Sequence, residues 1–535
     1  MNSSVRRSAQ WALRATLAIC AVLIVCRTWF GPLTFPIPLR SPMNVESIFG
    51  LAVLLLLLMR ATPASVEVQR RYIGLNRRDA VALVMIALAV AVAFWRTIPF
   101  YFLSDDFLIV KHARSWHGFR DAFTAVGADR FYRPVTFAYM AWVATWAGLD
   151  PALWRAIELG LHAANSCLLF ILARTLGFPR FAAGFAAALF AVHATRPETV
   201  VWIAARADLL ATFFVLLGLV FFIRSWDAPP SMSVFFRLAS FAAMSLAFIS
   251  KESSYTFPLL LGLWLAVNGG LKHRRGWYAL VPFFTAAACL FAWRWMLFGG
   301  IGGYADAAGR PQALSLGFVP VLKTFGLRLW ALLFFPINWN VQPGVVLGIV
   351  TTFYVAALFS LSSVAARRRD LVLTAGWLLA LALPPVQQLL IGADLQKARY
   401  LYLPSAGFCL LLAAAVTRLN ATPRWAVATA VLMFHTAALA HNLSAWQYAS
   451  EKAKSACAAV APCVTGPESR ISVLGLPGSL NGVYFFANGF PECVAMQRNF
   501  EPVEVDLTET TPDAGKYSCM FRWDTAEQEL RRLKP

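Results

Sequence analysis

The chain is 535 residues long; 59% of them are hydrophobic, 14% are charged, and the formal net charge is +20. Globular domains carry roughly 25% charged residues, so composition excludes one large soluble enzyme, a disordered chain and a collagen or coiled coil. It describes an all-α polytopic membrane protein. The positive charge is not gathered on one soluble face but falls in short clusters between apolar runs, at Arg6 and Arg7 and at residues 70–78, 272–275 and 367–369. That is the distribution of cytoplasmic loops under the positive-inside rule, and nucleic acid is not expected as a partner.

A spanning helix needs about 20 mostly apolar residues. In chain order the candidate spans are residues 11–30, 47–60, 80–100, 154–176, 181–193, 199–223, 238–250, 256–271, 277–298, 345–365, 371–391, 401–416 and 425–442, thirteen in all. The first has no evident small-residue cleavage site and more spans follow, so it does not read as a signal peptide. With Arg6 and Arg7 inside, the clusters at 70–78, 174–180, 224–237, 272–275, 367–369 and 418–424 also fall inside, provided that 135–149 and 316–335 do not cross. These two stretches are expected to lie along the outer surface or to re-enter the membrane. The N-terminus is then cytoplasmic. Segments 101–133, 194–198, 251–255, 299–315 and 392–400 face outside, together with the tail after 442.

Four domains follow: N-terminal transmembrane helices over 1–100, a first outer loop with an interfacial helix over 101–152, a transmembrane core over 153–442 and an outer C-terminal domain over 443–535. The last is expected to be a small α/β unit with strands over 470–476 and 482–487 and helices over 456–460 and 525–533. Cys20, Cys26, Cys167, Cys289 and Cys409 lie in apolar runs and read as small hydrophobes. Cys457, Cys463, Cys493 and Cys519 all lie in the tail. An even set there suggests two disulfides in an oxidising compartment, with three pairings open.

Five polar clusters remain, all on the outer side. Adjacent carboxylates at Asp105 and Asp106, against an apolar helix end, suit a general base or a metal ligand. Arg133 before Pro134 opens a helix and could hold a phosphate. His193, Arg196, Glu198, Arg206 and Asp208 form the densest group; Glu198, Trp202 and Arg206 recur every four residues, as on one helical face. Arg206 and Asp208 lie within an apolar run, where an ion pair marks a site by default. Lys251 and Glu252 sit between two apolar runs, and Lys397, Arg399, Tyr400 and Tyr402 precede another. Interfacial cations and tyrosines are ordinary belt residues, but an excess of cations on an otherwise cation-poor face points to an anionic ligand. No Walker loop, dinucleotide fingerprint or HExxH is present.

Taken in order, Asp105-Asp106, Arg133-Pro134, His193 through Asp208, Ser250-Lys251-Glu252 and the Arg399-Tyr-Leu-Tyr402-Leu-Pro404-Ser405 run resemble the GT-C class of polyprenol-dependent membrane glycosyltransferases. The resemblance runs from about residue 101 to 442 and is closest to the transmembrane-and-tetratricopeptide-repeat group of protein O-mannosyltransferases. It implies a GT-C-like fold in a bacterial inner membrane with the C-terminal domain periplasmic. It also implies inverting transfer of a sugar from a polyprenyl-phosphate donor to a hydroxyl of a periplasmic protein, lipid A or an envelope glycan. Asp105 would be the base and Asp106 would orient it or help bind a metal. Whether a divalent cation, magnesium or manganese, sits on the pair is left open. Arg206, Lys251 and Arg399 would stabilise the leaving phosphate, with Arg133 and Arg196 beside them. His193, Glu198, Asp208, Glu252, Tyr400 and Tyr402 would complete the donor site.

The chain departs from that group in several places. It lacks the repeats of about 34 residues, has Arg196 where relatives tend to carry a second histidine, and has Ala398 where an acid often stands. Two extra spans precede the acid pair. The competing readings are an O-antigen ligase or polymerase, which keeps its key cations in one large late outer loop, and a transporter or flippase of lipid-linked sugars, which predicts inverted repeats.

Overall fold

The computed structural model describes residues 3–32, 42–62, 76–116, 119–124, 131–300, 302–303, 317–386, 388–466, 469–501, 503–510 and 516–533. Residues 70–75 of the second basic cluster and 304–316 of the outer loop lie outside these.

The apolar runs fold as helices. The first half holds α1 (Ser3–Phe30), α2 (Met43–Arg60), α3 (Arg77–Phe94), α4 (Asp105–Ser115), α5 (Phe119–Thr124), α6 (Pro134–Ala147), α7 (Pro151–Thr175), α8 (Arg180–Val192), α9 (Arg196–Val200) and α10 (Arg206–Asp227). There follow α11 (Pro230–Phe248), α12 (Phe257–Val267), α13 (Arg274–Phe298), α14 (Phe318–Lys323), α15 (Leu329–Phe334), α16 (Val345–Leu361), α17 (Arg368–Ala382), α18 (Pro404–Val416), α19 (Ala421–Val460) and α20 (Phe490–Met496). Each of the thirteen apolar stretches holds a helix. Among the described residues eight helices are long and apolar enough to cross a membrane, and α8, α16 and α18 are shorter apolar helices. The chain is a multi-pass membrane protein.

Local chemistry shortens several of the stretches. The helix α12 stops where Gly269 takes φ +73°, and α18 can begin only at Pro404. The stretch 199–223 is not one helix: Trp202 is extended, so α9 ends and α10 starts afresh at Arg206. The repeat of Glu198, Trp202 and Arg206 along one helical face therefore does not form.

At one end of the bundle Arg14 and Arg60 both donate to Ser363 (3.2 and 2.8 Å) and Arg180 donates to Asp79 at 2.8 Å. At the opposite end lie the acid pair and its surroundings. The helix α14 runs through a π turn over Thr324–Arg328 into α15, and the turn and α15 both bond to neighbouring segments. Thr324 Oγ1 donates to the Val386 carbonyl at 3.1 Å, and the Leu333 carbonyl lies 3.0 Å from His193 Nε2.

Gly407 lets α17 and α18 touch. A Cβ there would lie 2.7 Å from the Leu378 nitrogen and 3.0 Å from the Thr374 carbonyl oxygen, both backbone atoms. Small residues permit such approaches between membrane helices. Gly407→Ala is expected to cost about 1–3 kcal/mol by overpacking, read as a lower Tm of the detergent-solubilised protein. An unchanged Tm would show that the two helices part freely.

The last helix before the tail, α19, has 40 residues and so runs about 60 Å, unbroken past residue 443. Beyond it β1 (Arg470–Leu474) pairs in parallel with β4 (Glu504–Thr508) and with β5 (Cys519–Asp524), and β6 (Glu529–Arg532) closes the sheet antiparallel to β5. A separate two-residue hairpin joins β2 (Ser479–Leu480) to β3 (Val483–Tyr484). The helix expected over 525–533 is instead a turn and β6. The Asp524 carboxylate accepts from the Ala526 and Glu527 nitrogens (2.9 and 3.2 Å), and the helix they could start is stopped at Gln528, which takes φ 52° and leads into β6 on the edge of β5. Disulfides join Cys457 to Cys493 and Cys463 to Cys519, tying α20 and β5 to the end of α19 and the turn that follows it.

Candidate active site

The acid pair opens α4. Ser104 before it is strained, with φ 48° in a non-glycine residue, and its nitrogen donates to the Phe485 carbonyl at 2.9 Å. The two carboxylates then part company. Asp106 is fully buried; its two oxygens accept from the Leu103 nitrogen at 3.1 Å and the Ala204 nitrogen at 3.0 Å. Burial pushes its proton affinity up to about 7 against the pull of Arg155 and those two N–H groups. Asp105 instead faces a cavity of about 260 Å³, lined also by Trp202, Gln388, Lys397, Arg399, Tyr400, Tyr484 and Asn488. Asn488 Nδ2 donates to Asp105 Oδ1 at 2.9 Å. Lys397, like Ser104, holds a positive φ (74°), and both line this cavity.

Behind the cavity three acid–base groups lock together. Arg399 pairs with Glu198, whose second oxygen accepts from the Arg399 nitrogen at 3.3 Å. The guanidinium also lies 4.9 Å from the Trp202 ring and 4.8 Å from that of Tyr400. Burial raises the proton affinity of Glu198 despite Arg399. Lys251 pairs with Asp208 and sits 4.7 Å from the Tyr400 ring; burial lowers its affinity to about 8. Glu252 holds Arg133 and Arg294, each at 2.6 Å.

Burial raises the affinity of Glu252, but the two guanidinium groups outweigh it and hold the carboxyl at about 2, below its ordinary 4.5. An acid whose folded value is depressed contributes stability above its unfolded value and loses it as pH falls through the folded one. Stability from this group is therefore expected to drop between pH 4.5 and about 2. With the carboxylate partly open to solvent, the amount is roughly 2 kcal/mol. Glu252→Gln should flatten that part of the acid-stability curve of the solubilised protein; a curve as steep as the native one would remove the role.

The remaining expected site residues lie elsewhere. Arg206 pairs with Glu158 on α7 at 2.9 Å, not with Asp208, and both partners are sealed from solvent. Arg196 is buried against Phe190 and Tyr402 (4.2 and 4.7 Å), donating to the Phe190 carbonyl and to Ser405 Oγ. Tyr402 reaches His162 Nδ1 at 2.7 Å, and His193 stacks on His435 at 4.5 Å. None of His193, Arg196, Arg206 and Tyr402 lines the cavity at Asp105. The two carboxylates are not presented to the cavity as a pair. Both Asp106 oxygens already accept backbone N–H groups, so only Asp105 is presented, and among the described residues no three His, Cys, Asp or Glu side chains converge.

Sequence reasoning missed the polar stripe of α7. Arg155, Glu158, His162 and Asn165 recur at spacings of three and four on one face of an apolar helix, a legible signal. Arg155 donates to the carbonyls of Phe100, Tyr101 and Val201, clamping the loop before the acid pair to the loop before α10.

The human protein O-mannosyl-transferase TMTC1 is 28% identical over 209 residues, 35% of this chain and 24% of that protein. The Drosophila melanogaster protein O-mannosyl-transferase Tmtc1 is 32% identical over 121 residues, 22% of this chain and 13% of its own length. The chain thus matches about a quarter or less of the length of these relatives. No family model matches the chain. Among solved structures, apo ArnT from Cupriavidus metallidurans aligns with 80% of this chain and 86% of its own at 18% identity and a TM-score of 0.39. The S. cerevisiae protein O-mannosyltransferase Pmt1-Pmt2 complex aligns with 46% and 37% at 18% identity and 0.34. Likenesses of that size leave the reading of the site to its own residues. The similarity to O-mannosyl-transferases agrees with the glycosyltransferase resemblance carried by the five motifs.

Proposed function

We propose that this chain is an inverting GT-C-type glycosyltransferase that moves a sugar from a polyprenyl-phosphate donor to a hydroxyl of an envelope protein or glycolipid, on the periplasmic face of a bacterial inner membrane. The observation that carries the reading is Asp105, a carboxylate facing the same cavity as Lys397 and Arg399. A carboxylate open to a cleft can take the proton of an attacking hydroxyl. Cations in the same cleft can stabilise the phosphate that leaves, with no general acid needed. One displacement inverts the anomeric carbon. The sequence similarity to protein O-mannosyl-transferases supports the reaction class.

Within this reading Asp105 is the base, while Lys397 and Arg399 meet the phosphate. Glu198 and Trp202 hold Arg399 in place. Lys251 supports the Tyr400 wall from behind, and Asp106 anchors the loop. The two tail disulfides suit an oxidising compartment.

The test is transfer of a labelled sugar from a polyprenyl-phosphate donor in proteoliposomes, with mass spectrometry of envelope glycans in cells that carry or lack the protein. A glycan that depends on the protein, together with label transfer, supports the reading. Movement of lipid-linked sugar across the bilayer with no transfer would put the transporter in its place.

A further inference from the structure

The cavity at Asp105 is walled on one side by the far end of the chain. The segment after β2 meets the first loop through four separate contacts. The Ser104 nitrogen donates to the Phe485 carbonyl at 2.9 Å, and the Asn488 nitrogen donates to Ser104 Oγ at 3.3 Å. Asn488 Nδ2 donates to Asp105 Oδ1 at 2.9 Å, and Phe486 stacks on Phe107 at 6.0 Å. Nearby, Tyr484 stacks on Trp202 at 4.8 Å. Gly489, at φ +81°, lies so close that a Cβ would come within 2.3 Å of the Ser104 carbonyl oxygen. Only glycine fits there, since it combines a left-handed backbone with the absence of a side chain. Cys493, on the helix that follows, ties the segment to Cys457 of α19.

We propose that Asn488 is a positioning residue for the base. Carried in by the C-terminal segment, its amide fixes the orientation of the Asp105 carboxylate toward the cavity and favours its charged form. The proposal rests on the reading of Asp105 as the base. The chemistry is that of a fixed donor beside a reacting carboxylate: the amide holds Oδ1 and so sets the direction in which the carboxylate faces the cavity. An N–H group aimed at a carboxylate favours its ionised form, so the base stays competent to lower pH than it would alone. The donor arrives from a part of the chain 383 residues away from the acid, on a segment with its own disulfide.

The experiment is the pH profile of transfer for Asn488→Ala and Asn488→Asp in the full-length protein, with Asp105→Asn beside them. Asn488→Ala is expected to lower kcat at least about tenfold through lost orientation, with the donor KM nearly unchanged, and to move the acid limb of kcat/KM up by about half a unit or more. Asn488→Asp keeps the shape but sets a second carboxylate against Asp105, and should move that limb further, by about one unit or more. Gly489→Ala, which pushes the segment off Ser104 without altering the amide, should reproduce the limb shift of Asn488→Ala. Formation of the Cys457–Cys493 disulfide, checked by non-reducing peptide mapping, reports folding; if Asn488→Ala fails it, the isosteric Asn488→Asp decides. A merely structural Asn488 would lower the active fraction and leave the limb where it was, which overturns the proposal while Asp105→Asn remains inactive. Transfer by Asp105→Asn at the native rate would instead overturn the function reading itself.

Discussion

Asp105→Asn is expected to reduce kcat for sugar transfer by about 100- to 10,000-fold, the range a general base contributes, with protein level and Tm close to native. The basis is the contrast between two adjacent acids. Asp105 faces the cavity and accepts from the Asn488 amide, and an amide in its place keeps the shape of the side chain while removing the base. Asp106→Asn should act differently in kind. Its two oxygens each accept a backbone N–H, and the amide nitrogen of Asn would point a donor at a donor, a loss of about 1–3 kcal/mol. The expected phenotype is a lower Tm with activity following the amount folded. Single-turnover transfer and a thermal melt on both variants separate the cases. Equal specific activity of folded Asp105→Asn and native protein would sink the assignment, and a purely kinetic defect in Asp106→Asn would exchange the roles.

Arg206→Ala should be the most destabilising substitution in the bundle. Its guanidinium meets Glu158 at 2.9 Å, with both side chains sealed from solvent, and lies 4.6 Å from the Trp154 ring centroid. Removing one partner of a buried pair strands the other charge, at about 3–5 kcal/mol. Replacing both with apolar residues of similar volume removes that penalty. Arg206→Ala should therefore lower the Tm severely, while the double variant Arg206→Met/Glu158→Met recovers most of it. The donor KM of the double variant should stay near native, because neither residue lines the cavity. A donor KM raised tenfold or more (about 1.4 kcal/mol) in a well-folded double variant would return Arg206 to the phosphate.

Much of this was legible in the sequence, and the limits have physical causes. Apolar runs located the helices because a membrane helix is specified by length and hydropathy alone. Their ends were harder: Trp202 breaks the run at 199–223, and no hydropathy window registers one extended residue. The clusters at Asp105, Glu198, Lys251 and Arg399 were visible as charge out of place, and the structure brings them to one end of the bundle. Their partners were not visible. Arg206 reads as the neighbour of Asp208, two residues away, yet two positions along a helix point to different sides. Each charge finds its mate on another segment, Glu158 on α7 for one and Lys251 in the link after α11 for the other. In the tail the strand at 470–474 is legible, with its apolar run central in the sheet, while 525–533 is not the helix its composition suggests, because Gln528 takes φ 52° and residues 529–532 find a strand partner in β5.

The partnership of Ser104 with Asn488, 384 positions apart, also orders events in time. A ribosome adding about 5–20 residues per second exposes the first loop roughly 20–80 s before the residue that braces it. During that interval the acid pair stands on a half-built wall, and the strained Ser104 has no Phe485 carbonyl to satisfy it. The wall of the cavity at Asp105 is thus complete only once residue 488 has been made.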